Sequence, residues 1–290
     1  IKSNYSVSVS EVSPQMITQA EDILNQFSND PLKDNSLLEQ LFALLPRKMK
    51  NVADYLLPAD ADPEQIQNVI DRETDLLRMM ETQMQALPSN DSKEKTLLEE
   101  WKLSITPVND EEELRQIKRH MGHSADCFSK AFRVKNSNRD NAFWNYYDKH
   151  NYHKEDIHYW YHGSRNMNCL SILHNGLILN PKAPKVGHMF GYGIYLAPKA
   201  KKSIGYTSLN GSFWVHGTSD KAYLFVMKTV YKSPYHVYTW TSGMKSLTKS
   251  RISPHDAVFA HAGTSLRNDE VVIFDDAQVT LQYIIELKQQ

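Results

Sequence analysis

Tyr161-His162-Gly163-Ser164-Arg165 is the stretch on which the reading of the fold turns. The residues leading into it, Ile157-His158-Tyr159-Trp160-Tyr161, have the aromatic character of a strand. His162 stands at that strand's end and Gly163 follows. Residues 166–174 then read as a short helix closed by Gly176. A glycine at this junction lets a flat ligand come close to the backbone, whose N–H and C=O can pair with a carboxamide. Taken alone, the same residues also read as an ordinary strand-to-helix turn with a capping serine.

Outward from this stretch the chain has two rhythms. Beyond residue 96, after one helix expected over 111–121 with Asn109 as its cap, short runs with strand character dominate: 157–161, 193–197, 222–230, 256–260, 270–274 and 278–287. In the last run Val279, Leu281, Tyr283, Ile285 and Leu287 alternate with more polar neighbours, the pattern of a half-buried strand. Short strands with few long helices predict an α+β domain around antiparallel sheets. No GxGxxG follows a strand and no phosphate loop is present, which argues against a doubly wound fold.

Residues 13–88 read as helices. Ser13 caps a helix with Pro14 at its first position, and Met16, Ile17, Ala20, Ile23, Leu24 and Phe27 recur at helical spacing. Leu37, Leu38, Leu41, Phe42, Leu44 and Leu45 form a second helix that Pro46 ends. A third, over 63–87, carries Ile66, Val69, Ile70, Leu77, Met80, Met84 and Leu87 along one side and is closed by Pro88 and Ser89-Asn90. The expected organisation is an all-α helical bundle over 1–90 followed by an α+β domain over 91–290.

At 290 residues the chain has the length of about two domains and ample sequence for a core. With 33 basic against 34 acidic residues its formal charge is -1, so a clustered basic surface for nucleic acid is not expected. Two cysteines, Cys127 and Cys169, are too few for a disulfide framework or a zinc site of usual spacing, and suit a reducing compartment. No apolar run approaches the roughly 20 residues of a membrane span, and no signal-peptide pattern opens the chain. It begins at Ile1, as expected of a part of a longer protein.

Three further places carry candidate chemistry. The segment between Leu179 and Gly193 holds two prolines, two glycines, Lys182, Lys185 and His188, and reads equally as a ligand-covering loop or a plain connector. Tyr195 lies on a strand, and a short helix from Pro198 carries Lys202, Ser203 and Tyr206. Two aromatic rings could sandwich a pyridinium beside a serine hydroxyl; they could equally be core tyrosines. Glu270 heads the apolar strand Glu270-Val271-Val272-Ile273-Phe274, either as a solvated strand end beside Asp269 or as a carboxylate aimed into a cleft.

In this order, His162-Gly163-Ser164-Arg165, Met189-Phe190-Gly191-Tyr192-Gly193-Ile194-Tyr195, Lys202-Ser203-Ile204-Gly205-Tyr206 and Asp269-Glu270 resemble the catalytic domain of the poly(ADP-ribose) polymerases, and Asp276-Ala277-Gln278-Val279 resembles its last strand. The likeness runs from about residue 96 to the C-terminus. More loosely, residues 13–88 resemble the family's helical regulatory domain, through Phe42-Ala43-Leu44-Leu45-Pro46 and through Asp71 and Asp75, with no counterpart of its first helix. The two acids read equally as a solvated face.

The resemblance implies NAD as co-substrate, no metal, and a His–Tyr–Glu triad at His162, Tyr195 and Glu270. It implies that His162 holds the adenosine ribose, that Gly163 and Ser203 bond the nicotinamide amide, and that Tyr206 and Tyr195 flank the nicotinamide ring. Ser164, Asn168 and Lys202 join the NAD-binding set, with Asn168 and the 180–192 loop near the adenosine. Glu270 then reaches the 2′-hydroxyl of the nicotinamide ribose, where an oxocarbenium-like centre develops as nicotinamide leaves.

Departures are confined. Tyr161 stands where the family often has Trp, Tyr192 where it has Lys, Ile178 where some members have a basic residue, and Asn268 where an aromatic residue is common. The expected activity is NAD-dependent transfer of ADP-ribose to protein side chains, automodification included, and to a growing polymer. Single-unit transfer is the alternative in the same chemistry, and a silent NAD- or partner-binding module the alternative in another class. By the resemblance the protein is nuclear, with a cytoplasmic location as the alternative; no nucleic-acid or membrane partner is expected of this segment.

Overall fold

A computed structural model describes residues 12–30, 32–45, 47–49, 51–86, 96–179 and 188–289. The described residues of 12–86 form one compact unit; those of 96–179 and 188–289 form another.

The first unit is helical. In α1 (Pro14–Asn29), Ser13 accepts a hydrogen bond from the Met16 amide, and Ile17, Ala20, Leu24 and Phe27 are buried. In α2 (Asn35–Leu44), Asp34 caps the start and Leu38, Leu41 and Phe42 turn inward. In α3 (Pro63–Gln85), Asp62 and Gln65 form a reciprocal capping box, and Ile70, Leu77 and Met80 are buried as the spacing requires. Pro46, Pro88 and Ser89-Asn90, expected to close the second and third helices, and Leu87, expected on the apolar side of the third, lie outside the described residues. Within this core the Arg47 guanidinium meets the Glu73 carboxylate at 2.7 Å, with Arg72 on the other carboxylate oxygen at 2.9 Å.

The second unit opens with α4 (Leu97–Glu100), β1 (Leu103–Pro107), α5 (Glu111–Met121), β2 (Phe128–Asn136) and α6 (Ser137–Lys149). It continues with β3 (Ile157–Gly163), α7 (Cys169–Asn175), β4 (Ile194–Leu196) and α8 (Ala200–Ile204), then β5 (Lys221–Val230), β6 (Pro234–Val237), α9 (Lys249–Ile252), β7 (Ala257–Ala260), β8 (Glu270–Ile273) and β9 (Val279–Lys288). Every strand expected from the sequence is present; β1, β2, β6, α4, α6 and α9 are additional. Asp110, not Asn109, caps α5: its carboxylate accepts from the Glu113 amide at 2.8 Å.

The strands form two sheets, β1-β2-β9-β5-β3 and β4-β8-β7-β6. All pairs are antiparallel except β6 with β7. The last strand is not half-buried. β9 runs between β2 and β5, and even its polar members Thr280 and Glu286 are enclosed, Thr280 donating to Asp140 and Glu286 accepting from Ser129. The alternation marked the polar positions correctly, but both faces of this particular strand are covered by other elements.

One joint positions everything that follows. Tyr161 exchanges two backbone hydrogen bonds with Ala197, at 2.9 and 2.8 Å, so β3 of the first sheet is stitched to the end of β4 of the second. Tyr161 is itself fully enclosed in the core with Leu224, Val226, Ile285 and Leu287.

Candidate active site

The joint delivers His162 to Tyr195. Because Tyr161 pairs with Ala197, the next residue on β3 lies beside the backbone of β4, and the His162 ring nitrogen Nδ1 stands 3.1 Å from the Tyr195 carbonyl oxygen. That oxygen only accepts, so Nδ1 is the donor nitrogen in this contact. β4 pairs with β8 such that Tyr195 faces Val272 and Leu196 faces Val271, which places Glu270 one position beyond the ladder. Three elements distant in sequence thus bring His162, Tyr195 and Glu270 into one region through backbone pairing.

Gly163 has an internal reason for being glycine. A Cβ there would fall 1.7 Å from the Ser203 carbonyl oxygen, so the end of β3 packs directly on α8. The same carbonyl accepts from the Tyr206 amide at 3.0 Å. Ser203 is only 4% exposed. Ser164 does not cap the following helix; its hydroxyl accepts from the Asn168 side-chain amide at 2.8 Å, and Asn168 is buried at the head of α7.

Tyr195 is held at both ends. Its hydroxyl donates to the Gly191 carbonyl at 2.7 Å and accepts from the Phe190 amide at 3.0 Å. Burial pushes that hydroxyl well above the usual tyrosine range, so it stays a donor. Gly191 permits this turn: its φ is 82°, and a Cβ would come within 2.0 Å of the Leu247 carbonyl oxygen. The Tyr195 ring stacks on His188 at 5.3 Å, whereas the Tyr206 ring stacks on Trp214 at 5.8 Å. Lys182 and Lys185 of the same loop lie outside the described residues.

Glu270 is the buried member of the acidic pair. Asp269 accepts from the Ala262 amide at 2.7 Å and so closes its own turn. The Glu270 carboxylate faces inward and meets the Lys202 ammonium at 2.6 Å, each side chain 12% exposed. Sequence reading placed Lys202 among the binding residues but not opposite Glu270, since spacing along α8 says nothing about a partner 68 residues away. His188, too, was known only as part of a loop. A cavity of about 290 Å³ lined by Arg165, Asn166, Ser208, His216 and Ser219 contains none of His162, Tyr195 and Glu270. Among the described residues no cluster of His, Cys, Asp and Glu is arranged to hold a metal ion, and no helix is long and apolar enough to cross a membrane.

Residues 111–289 match the family model for the poly(ADP-ribose) polymerase catalytic domain. The chain belongs to that family. The match spans every candidate site residue from His162 to Glu270. The Drosophila melanogaster poly [ADP-ribose] polymerase is 31% identical over 147 residues, covering 44% of this chain and 15% of that protein. The Gallus gallus poly [ADP-ribose] polymerase 1 is 31% identical over 153 residues, 44% of this chain and 14% of that protein. Poly [ADP-ribose] polymerase 2 of Homo sapiens is 47% identical over 57 residues, 18% of this chain and 10% of that protein. Each of these alignments therefore covers 15% or less of the poly(ADP-ribose) polymerase it matches.

Proposed function

We propose that the chain is an NAD-dependent ADP-ribosyltransferase, a pentosyl-transferring enzyme that extends ADP-ribose into polymer. The observation that carries this reading is the convergence of β3, β4 and β8 on His162, Tyr195 and an inward-facing Glu270. The fit to NAD is supported by a tightly packed Gly163–Ser203 wall, a 38% exposed Tyr206 ring and one buried carboxylate. NAD supplies the ADP-ribosyl group and nicotinamide as its leaving group.

In this reading His162, with its Nδ1 bonded to the Tyr195 carbonyl, orients the adenosine ribose from Nε2. Ser164 and Asn168, bonded to each other, line the adenosine side. Gly163 and Ser203 bond the carboxamide, and Tyr206 stacks on the nicotinamide ring while Tyr195 forms the opposite wall. Lys202 holds Glu270 until the ribose hydroxyl takes the carboxylate as its hydrogen-bond acceptor. Glu270 then stabilises the positive charge that develops on the ribose and polarises the incoming nucleophile. Its contribution is largest in the transition state, so it acts on turnover more than on NAD affinity.

Residues 1–90 are assigned a regulatory role and 91–290 the catalytic one; turnover unchanged on deleting 1–90 from a folded protein would remove the first assignment. Protein side chains, the chain's own included, are the acceptors, and the setting is nuclear. Single-unit transfer is a second reading, favoured by Asn268 in place of an aromatic residue two positions before Glu270. Incubation with labelled NAD beside a Glu270→Gln protein separates the two. A diffuse high smear lost in the variant supports a polymerase, a sharp band supports single-unit transfer, and NAD binding without label in either protein points to a silent module or to a catalytic domain held shut by residues 1–90.

A further inference from the structure

The segment carrying Phe213 and Trp214 is among the most exposed aromatic surface of the catalytic unit, at 58% and 43%. Single exposed rings are ordinary, but two adjacent ones form a contiguous apolar patch, the kind of surface that marks a packing or binding role. These two are held in place. The Trp214 amide donates to the Gly205 carbonyl at 2.9 Å, and the Gly217 amide donates to the Ser212 hydroxyl at 2.8 Å. The Trp214 indole lies on the Tyr206 ring at 5.8 Å with 18° between planes, and Phe213 meets it edge-on at 4.7 Å. On the far side the Arg267 guanidinium sits over Phe213 at 5.9 Å. A ladder of four side chains therefore runs from Tyr206 to the turn that leads into Glu270.

Tyr206 needs such support. It follows the last turn of α8, and 38% of its surface is exposed, so its ring plane is not fixed by burial. A ring that stacks on a flat ligand binds better when its orientation is fixed beforehand, because less rotamer freedom is lost on binding. Trp214 supplies an aromatic surface on that ring, and the backbone bond to Gly205 fixes where the indole sits. A Cβ at Gly205 would come 3.0 Å from Trp214 Cδ1, so the two are packed to contact.

We propose that Trp214 is a positioning residue for Tyr206 and thereby sets affinity for the nicotinamide end of NAD, with Phe213 and Arg267 bracing the indole. The proposal rests on the reading of Tyr206 as the residue that stacks on nicotinamide.

The test compares Trp214→Ala, Trp214→Phe, Gly205→Ala and Tyr206→Ala in the whole chain. NAD KM and kcat are read from nicotinamide release, and the Kd of benzamide, a nicotinamide mimic, from calorimetry. Losing one aromatic pair predicts about a three- to tenfold rise in both KM and benzamide Kd for Trp214→Ala, with kcat nearly unchanged. Trp214→Phe recovers most of the loss, and Gly205→Ala, which displaces the indole by a few tenths of an ångström, gives a smaller loss of the same kind. Melting temperatures without ligand confirm that each variant is folded; if Trp214→Ala is not, Trp214→Phe and Gly205→Ala carry the test. Normal KM and Kd in Trp214→Ala or Gly205→Ala, beside a weakened Tyr206→Ala, overturn the role of Trp214. Normal binding by Tyr206→Ala overturns the stacking reading beneath it.

Discussion

The Lys202 ammonium and the Glu270 carboxylate stand 2.6 Å apart with both side chains nearly buried, although one lies on a five-residue helix and the other on a strand of the second sheet. Removing one partner of such a pair leaves an uncompensated buried charge, which costs about 3 kcal/mol. Lys202→Met should therefore lower unfolding free energy by about that much in urea titrations, an upper figure because some solvent still reaches the pair. Adding Glu270→Gln to Lys202→Met should restore most of the loss. Additive losses in the double variant would show that the pair is not coupled.

Activity is read separately at the same carboxylate, although Glu270→Gln also leaves the Lys202 ammonium unpaired and should itself lower stability. Glu270→Gln keeps the shape of the side chain and removes the charge that faces the developing ribose cation. By analogy with the loss of a single transition-state contact, kcat should fall about 10²- to 10³-fold while NAD KM moves only a few-fold. Nicotinamide release under initial-rate conditions measures both. A large rise in KM at unchanged kcat would place Glu270 in ground-state binding instead.

Gly163→Ala should act through packing. The added methyl would overlap the Ser203 carbonyl, which is backbone and cannot rotate away. Either β3 or α8 has to shift, at a cost of about 1–3 kcal/mol or more. The expected result is a lower melting temperature together with loss of the stabilisation that NAD otherwise gives. A variant that melts normally and still responds to NAD would mean that the wall is more pliant than its contacts imply.

The sequence made some of this legible for definable reasons. His162, Tyr195 and Glu270 each sit at or beside a strand end, where local pattern is strong, and their meeting follows from strand pairing. The helices of residues 13–86 were equally readable, because their caps and apolar spacing are local properties. The burial of β9 was not, since a strand's second face is covered by elements that its own alternation does not encode. Nor were the Lys202–Glu270 pair and the Trp214–Tyr206 stack, which join residues through tertiary contact alone. Asp110 displaced Asn109 as a cap because either residue type suits the position, and only the carboxylate's bond to Glu113 decides between them.

Acid sensitivity should come from partly desolvated histidines before it comes from carboxylates. Burial holds His120, His158 and His174 below the ordinary histidine value of 6.5. The His120 Nδ1 lies 2.6 Å from the hydroxyl of the enclosed Tyr161, whose own proton burial retains, so the neutral ring accepts from it. As pH falls, the unfolded chain takes up these protons first. Their contribution to stability is complete above 6.5 and is lost as pH drops below that value through the lowered folded values. Glu113 behaves differently: the Arg133 hydrogen bond holds it below its ordinary 4.5, so its stabilisation persists until the solution is more acidic still. Urea unfolding of the chain between pH 7.5 and 5 should show declining stability, with a shallower decline in His120→Gln despite a lower starting value. Parallel pH dependences in the two proteins would remove His120 from the account and leave His158 and His174 to explain the slope.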